Sequence, residues 1–236
     1  MIYFFLIIYV IITAYKKKRM SDTSVHFERI DDDHWYHMFK LPDEFIEYFW
    51  KQIEIAKQEN NNANDELVGN ISRSLHMKDP DNIIIDKIFR SLYFSPYQKY
   101  FNQLVERTFR MSDYGYVETP SSPSLKKLWV NFQKKYEFNP LHDHSGLFSF
   151  VIWMKIPYNL EDEKNLDFVK HSKSTHSVGN FVFVPPGMNL QIIDMEKDIE
   201  GCCAVFPAYF HHMVYPFYTS DEERITISGN IFFDRV

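Results

Sequence analysis

The chain has 236 residues, 45% of them hydrophobic, with 22 Phe and 15 Tyr. That is enough apolar material for one large packed domain or two small ones. A net charge of −6 offers no basic surface for nucleic acid, and 7 Gly are too few for a glycine-rich nucleotide cradle.

Met1 to Ala14 is almost wholly apolar and is followed by Lys16-Lys17-Lys18-Arg19. A spanning helix needs ~20 apolar residues, with ~17 as the lower limit, so the run is short. It also lacks the charge-first order of a secretory signal. Residues 1–19 have three readings: an extension upstream of a true start at Met20, a short and weak membrane anchor, or a packed terminal element. If the run inserts, the basic cluster after it favours a cytoplasmic body.

Residues 20–126 read as a helical support region that forms one compact domain with a β-rich core at 127–236. Residues 21–41, with Asp31-Asp32-Asp33-His34, read as a solvated loop. Leu41-Pro42-Asp43-Glu44 starts a helix that runs to about Gln58, because Pro suits the first turn and acids favour the N-terminus. Asn60-Asn61-Asn62 ends it. A second helix is expected from about Pro80 to Phe109, on the spacing of Ile84, Ile88, Leu92, Phe101 and Leu104, with an interruption at Ser95-Pro96. Met111 to Leu125 is loop-like.

From Lys127 the texture changes to short β-type runs. Strands are expected at 128–132, 149–156, 180–184, 190–193, 202–206 and 224–233, punctuated by Pro157, Pro185-Pro186-Gly187, Pro207 and Pro216. Short strands with tight turns fit two facing sheets, a jelly roll with supporting helices, mainly β within an α+β class. The charged segment Tyr158 to Val178 reads as an exposed loop, with a lid as the functional alternative. Cys202 and Cys203 are neighbours and bridge only through a strained ring, so they read as free strand residues of a reducing compartment, the cytoplasm.

The chemistry concentrates at Asn139-Pro140-Leu141-His142-Asp143-His144-Ser145-Gly146. On an extended segment His142 and His144 face the same way, and two imidazoles on one face can share a metal ion. Downstream, Phe206 to Pro216 carries His211-His212, and Arg224 follows twelve residues later. A close His pair, a distant His and a later Arg suit iron(II) plus a cationic anchor for a dicarboxylate.

These blocks resemble the 2-oxoglutarate- and iron(II)-dependent oxygenases, especially an uncharacterised, often phage- or virus-borne, prolyl-hydroxylase-like group. The resemblance rests on Trp129-Val130-Asn131, 139–146, 149–157, 206–216 and 224–231, with Leu67-Val68-Gly69-Asn70-Ile71 in the first half. It implies a double-stranded β-helix with Fe(II) at its open end, 2-oxoglutarate and O2 as cosubstrates, and release of succinate and CO2. The usual His-x-Asp is here His142-Asp143-His144, so the triad reads as His142, His144 and His212, and a bulge turning Asp143 inward is the alternative.

Arg224 is the expected cosubstrate anchor, its planar fork suiting a carboxylate; a surface pair with Glu222 is the bland reading. Ser228 and Asn230 share its strand face, and Asn131 lies on an earlier strand; all three are expected near the cosubstrate. The substrate is a protein side chain or a small metabolite. Two competing functions are a non-catalytic jelly-roll module that binds a metal or ligand, and a three-His dioxygenase without 2-oxoglutarate.

Overall fold

The structure, a computed structural model, describes residues 26–93, 98–110, 122–173, 177–187 and 189–233. The apolar segment at 1–19 lies outside them, as does most of the loop expected at 111–125. Among the described residues no helix is long and apolar enough to cross a membrane.

Eleven strands are described: β1 (His26–Arg29), β2 (Trp35–Lys40), β3 (Ser74–His76), β4 (Pro123–Gln133), β5 (Asn139–His142), β6 (Phe148–Lys155), β7 (Phe181–Phe183), β8 (Gln191–Ile193), β9 (Cys202–Pro207), β10 (His212–Val214) and β11 (Arg224–Phe233). They form a seven-stranded sheet in the order β1-β2-β9-β6-β11-β4-β3 and a four-stranded sheet in the order β5-β10-β7-β8. Every pairing is antiparallel. The two facing sheets make the double-stranded β-helix.

The large sheet is buried on both faces. Phe148, Phe150, Ile152 and Met154 of β6 join a cluster with the helical residues Phe49, Ile53, Ile84, Ile88 and Phe101. Val151 and Trp153, on the opposite face, join Phe181, Phe183 and Ile193 of the small sheet. This two-sided burial is why the run at 148–154 shows no polar alternation. On β11 the same alternation sends Ile225 and Ile227 toward the helices and leaves Arg224, Thr226, Ser228 and Asn230 facing inward.

The first helix, Asp43–Glu59, begins behind Pro42 with two acids in its first turn and ends at Asn60 in the left-handed region (φ 49°). The second helical region departs from expectation. Ile83–Phe89 is a π-helix that continues as an α-helix over Arg90–Tyr93, and a separate α-helix spans Gln98–Arg110. The Asp79 carboxylate accepts from the backbone N–H groups of Ile83 and Ile84 (3.1 and 2.8 Å). The wider turn puts Ile84, Ile85, Ile88 and Phe89 together in the core.

Two sequence expectations are corrected. Residues 26–40 are not a solvated loop: β2 is hydrogen-bonded between β1 and β9, and Trp35, Tyr36, His37 and Met38 are buried. The acidic turn between β1 and β2 is closed locally, with the Asp31 carboxylate accepting from the His34 backbone N–H (2.7 Å). Residues 158–178 are not a bare exposed loop either. They contain two short helices, Leu160–Lys164 and Asp167–Lys170, and bury Leu160, Glu163 and Val169.

Candidate active site

Between the sheets lies a cavity of about 180 Å³. The strand preceding Asp143 carries His142, the turn after it carries His144, and β10 carries His212. His212 is the direct cross-strand partner of His142. The ring centroids are 4.3 Å apart for His142–His212, 4.9 Å for His142–His144 and 5.0 Å for His144–His212. One ligand nitrogen from each of the three lies within 4.8 Å of the others. The cluster contains no carboxylate: Asp143 is exposed on the cavity rim. His211 is exposed, while its neighbour His212 is buried.

The donor chemistry fits a metal. His142 Nδ1–H donates to the Pro140 carbonyl (2.7 Å) and His212 Nδ1–H to the Phe210 carbonyl (2.9 Å). A carbonyl only accepts, so Nδ1 carries the proton in both rings and Nε2 is left with its lone pair. Burial drives the imidazoles toward the neutral, ligating form. It lowers the pKa of His142, brings that of His144 down to about 3, and holds that of His212 well below the usual histidine value. His212 stacks on Phe181, with centroids 5.4 Å apart and the planes 16° from parallel. Trp129 packs beside His144 at 5.8 Å.

Arg224 lies on the wall of the same cavity and is only 2% exposed. Its NH1 donates to Tyr158 Oη (2.7 Å) and the Gly179 carbonyl (2.5 Å), and its NH2 to Gln133 Oε1 (2.6 Å) and the Tyr215 carbonyl (3.2 Å). All four acceptors are neutral, so the buried positive charge has no carboxylate beside it among its hydrogen-bond partners. The surface pair with Glu222 is not formed; Glu222 pairs with Lys155 at 2.6 Å. The expected two-pronged grip on a carboxylate is not freely available, because Nε–H alone lacks a partner among the described residues. A bidentate grip needs Gln133 or Tyr158 to give way.

The other predicted residues line this cavity too. Asn131 accepts from Ser74 Oγ (2.8 Å) and donates weakly to Thr226 Oγ1 (3.4 Å). Asn230 accepts from Ser149 Oγ (2.9 Å), and Ser228 lies between Thr226 and Asn230 on the same wall. The segment 67–71 closes one side. A Cβ on Gly69 would sit 2.0 Å from Asn139 Oδ1, so any larger residue there makes the Asn139 side chain move.

Sequence reasoning missed the shell behind Arg224. Tyr158 also donates to the Gly179 carbonyl (2.5 Å) and stacks on Phe217 at 4.8 Å. Glu163 is fully buried, and its carboxylate accepts from the backbone N–H of Tyr218 and the N–H and Oγ1–H of Thr219. No short motif announces these partners, which meet Arg224 only through the folded chain.

No curated protein matches the sequence. Among solved structures, similarity is found to a Pseudomonas putida prolyl-4-hydroxylase, 13% identical over 86% of this chain and 94% of that one (TM-score 0.47). A 2OG-Fe(II) oxygenase family oxidoreductase from Burkholderia pseudomallei is 13% identical over 88% of this chain and 72% of that one (TM-score 0.37). Residues 127–230 match the family model described as "Putative 2OG-Fe(II) oxygenase". That stretch runs from β4 into β11 and contains His142, His144, His212 and Arg224, so the similarity to that family covers all four candidate site residues.

Proposed function

We propose that the protein is an iron(II)- and 2-oxoglutarate-dependent dioxygenase that hydroxylates a protein side chain or a small metabolite, with release of succinate and CO2. The observation that carries this reading is the pairing of three converging neutral imidazoles with a buried, acid-free Arg224 on the wall of one cavity. His142, His144 and His212 hold iron(II) through one nitrogen each. The bound iron, with 2-oxoglutarate and O2, supplies the oxidising chemistry.

The chain's own contribution is charge, shape and dryness. Three uncharged ligands leave the full charge of a divalent ion uncompensated, and Arg224 adds a further buried positive charge. A dianion neutralises both at once, which favours 2-oxoglutarate over a neutral ligand. Tyr158, Gln133 and the carbonyls of Gly179 and Tyr215 fix the guanidinium plane before any ligand arrives. The hydroxyl of Thr226, one inward position along the strand, is placed for a second contact with the cosubstrate. Phe181, Phe206 and Trp153 keep water from the cavity wall.

The all-histidine donor set favours one competing reading, a three-His dioxygenase that uses no 2-oxoglutarate. Anaerobic titration of iron(II) and 2-oxoglutarate separates the two. A visible charge-transfer band of the chelated keto acid is expected in wild type. It should vanish in His212→Ala and need far more cosubstrate in Arg224→Ala. Iron binding without the band, at any 2-oxoglutarate concentration, overturns the proposal.

A further inference from the structure

The inward wall of β11 is longer than one cosubstrate. Arg224 and Asn230 are six residues apart on one face, about 20 Å at the rise of an extended strand. A five-carbon dicarboxylate spans less than half of that, so a molecule anchored at Arg224 does not reach Asn230, which the sequence pattern places near the cosubstrate, and leaves that end free for something else. This placement rests on the oxygenase reading above.

The free end has a distinct chemistry. Trp129, beside His144, lines the cavity and its indole N–H has no hydrogen-bond partner among the described residues. Asn230 is 97% buried by its 3% exposure, and its amide nitrogen is likewise without a partner there, because only its Oδ1 is engaged, by Ser149. Ser228 stands between them on the wall, and Lys127, the cross-strand partner of Asn230, brings an ammonium to the rim. The inner ring of this end is therefore made of donors. The outer ring is acidic: Glu66 Oε2 lies 3.0 Å from Lys127 Nζ, and the Asp143 carboxylate is exposed on the same rim.

A simple anion meets the donors but is repelled by two acids against one lysine. A simple cation meets the acids but is repelled by the Lys127 ammonium and has no use for the N–H groups that open onto the cavity. A group with a carboxylate and an ammonium on adjacent atoms satisfies both rings. The Glu66–Lys127 pair is an exposed ion pair of the kind worth little by itself, so exchanging it for two pairs with a ligand costs little. We infer that the second half of the cavity is the primary-substrate subsite and takes a free α-amino acid, its carboxylate on Trp129, Asn230 and Lys127, its ammonium on Glu66 and Asp143. The side chain of that amino acid is then the part turned toward the three histidines.

The test is a binding experiment under anaerobic conditions, on the full chain with iron(II) replaced by zinc(II) and with saturating 2-oxoglutarate, so that the Arg224 end is filled. The probes are the free L-amino acids, each with its amide, which lacks the carboxylate, and its desamino acid, which lacks the ammonium. The readout is the indole N–H resonance of Trp129, identified by its loss in Trp129→Phe. At least one amino acid should shift this resonance, while its amide and desamino acid bind roughly ten-fold or more weakly. Lys127→Met and Glu66→Gln, both on the surface, should weaken the amino acid by a similar factor and leave 2-oxoglutarate affinity unchanged. If 2-oxoglutarate binds and no amino acid moves the resonance, the subsite is refuted and the oxygenase reading stands. Equal binding of the amides or the desamino acids refutes the two-ring recognition. If 2-oxoglutarate itself does not bind, the oxygenase reading fails and takes this inference with it.

Discussion

Replacing Glu163 by Gln tests whether the short helix Leu160–Lys164 holds the Arg224 guanidinium, the proposed cosubstrate anchor, in place. The Glu163 side chain is fully buried. Its Oε1 accepts from Tyr218 N–H (3.0 Å), Thr219 N–H (2.8 Å) and Thr219 Oγ1–H (2.6 Å), and its Oε2 from Tyr218 N–H (2.9 Å). Glutamine keeps one oxygen and removes the charge, and its NH2 group then faces a backbone N–H with no acceptor between them. Hydrogen bonds to a charged group contribute about 1.5–3 kcal/mol each, so loss of roughly one such bond with weakening of the others costs about 2–4 kcal/mol. The segment loosened is the one whose Tyr215 carbonyl and Phe217 ring bound the Arg224 guanidinium. Urea unfolding should show the stability loss, and titration of the folded variant should show weaker 2-oxoglutarate binding with iron affinity retained. A loss below about 0.5 kcal/mol, or an unchanged 2-oxoglutarate affinity, refutes the reasoning.

Four further outcomes are expected. His144→Ala should weaken iron binding about a hundred-fold or more, since even outer-shell partners of ligands cost 10–100-fold, whereas Asp143→Asn should leave it unchanged in the same equilibrium titration. Burial lowers the pKa of His37 to about 4, so below pH 6.5 the unfolded chain takes up a proton that the folded chain refuses. Stability from this residue is full above pH 6.5 and lost as pH falls toward 4, by about 2 kcal/mol at pH 5; His37→Leu should flatten that part of the metal-free stability profile. Gly229→Ala should destabilise by about 1–3 kcal/mol, because its Cβ would meet the Lys127 carbonyl oxygen at 2.6 Å and the Phe150 ring at 2.7 Å. Phe148→Ala should cost about 3–5 kcal/mol in chemical unfolding, as this fully buried ring packs on Phe89 and Phe101 at 5.2 Å each.

The residues most legible in the sequence were those whose spacing is itself a geometric statement. His142 and His144 two apart, and Arg224, Thr226, Ser228 and Asn230 at alternate positions, announce a shared face before any fold is known. The choice of His212 over His211 also agrees with their burial and exposure. Tertiary context hid the rest. Residues 26–40 looked like a loop because Asp31-Asp32-Asp33-His34 dominates their composition, yet the flanking residues pair as strands and extend the large sheet. Glu163 sat in a charge-rich run, Glu161-Asp162-Glu163-Lys164, with nothing to distinguish the one acid that turns inward. The π-helical turn at Ile83–Phe89 was invisible because Ile83-Ile84-Ile85 suits several helical periods equally.

His142 and His212 face each other across neighbouring strands, β5 at the edge of the small sheet and the three-residue β10 beside it. Few backbone hydrogen bonds fit into strands this short. An ion shared by the two rings would be a rivet through one of these short seams, and its binding energy would also be folding energy for that seam. On the proposed reading, metal loss would loosen the same two strands that must close again for metal to return, coupling the ion to the integrity of the small sheet as well as to the site.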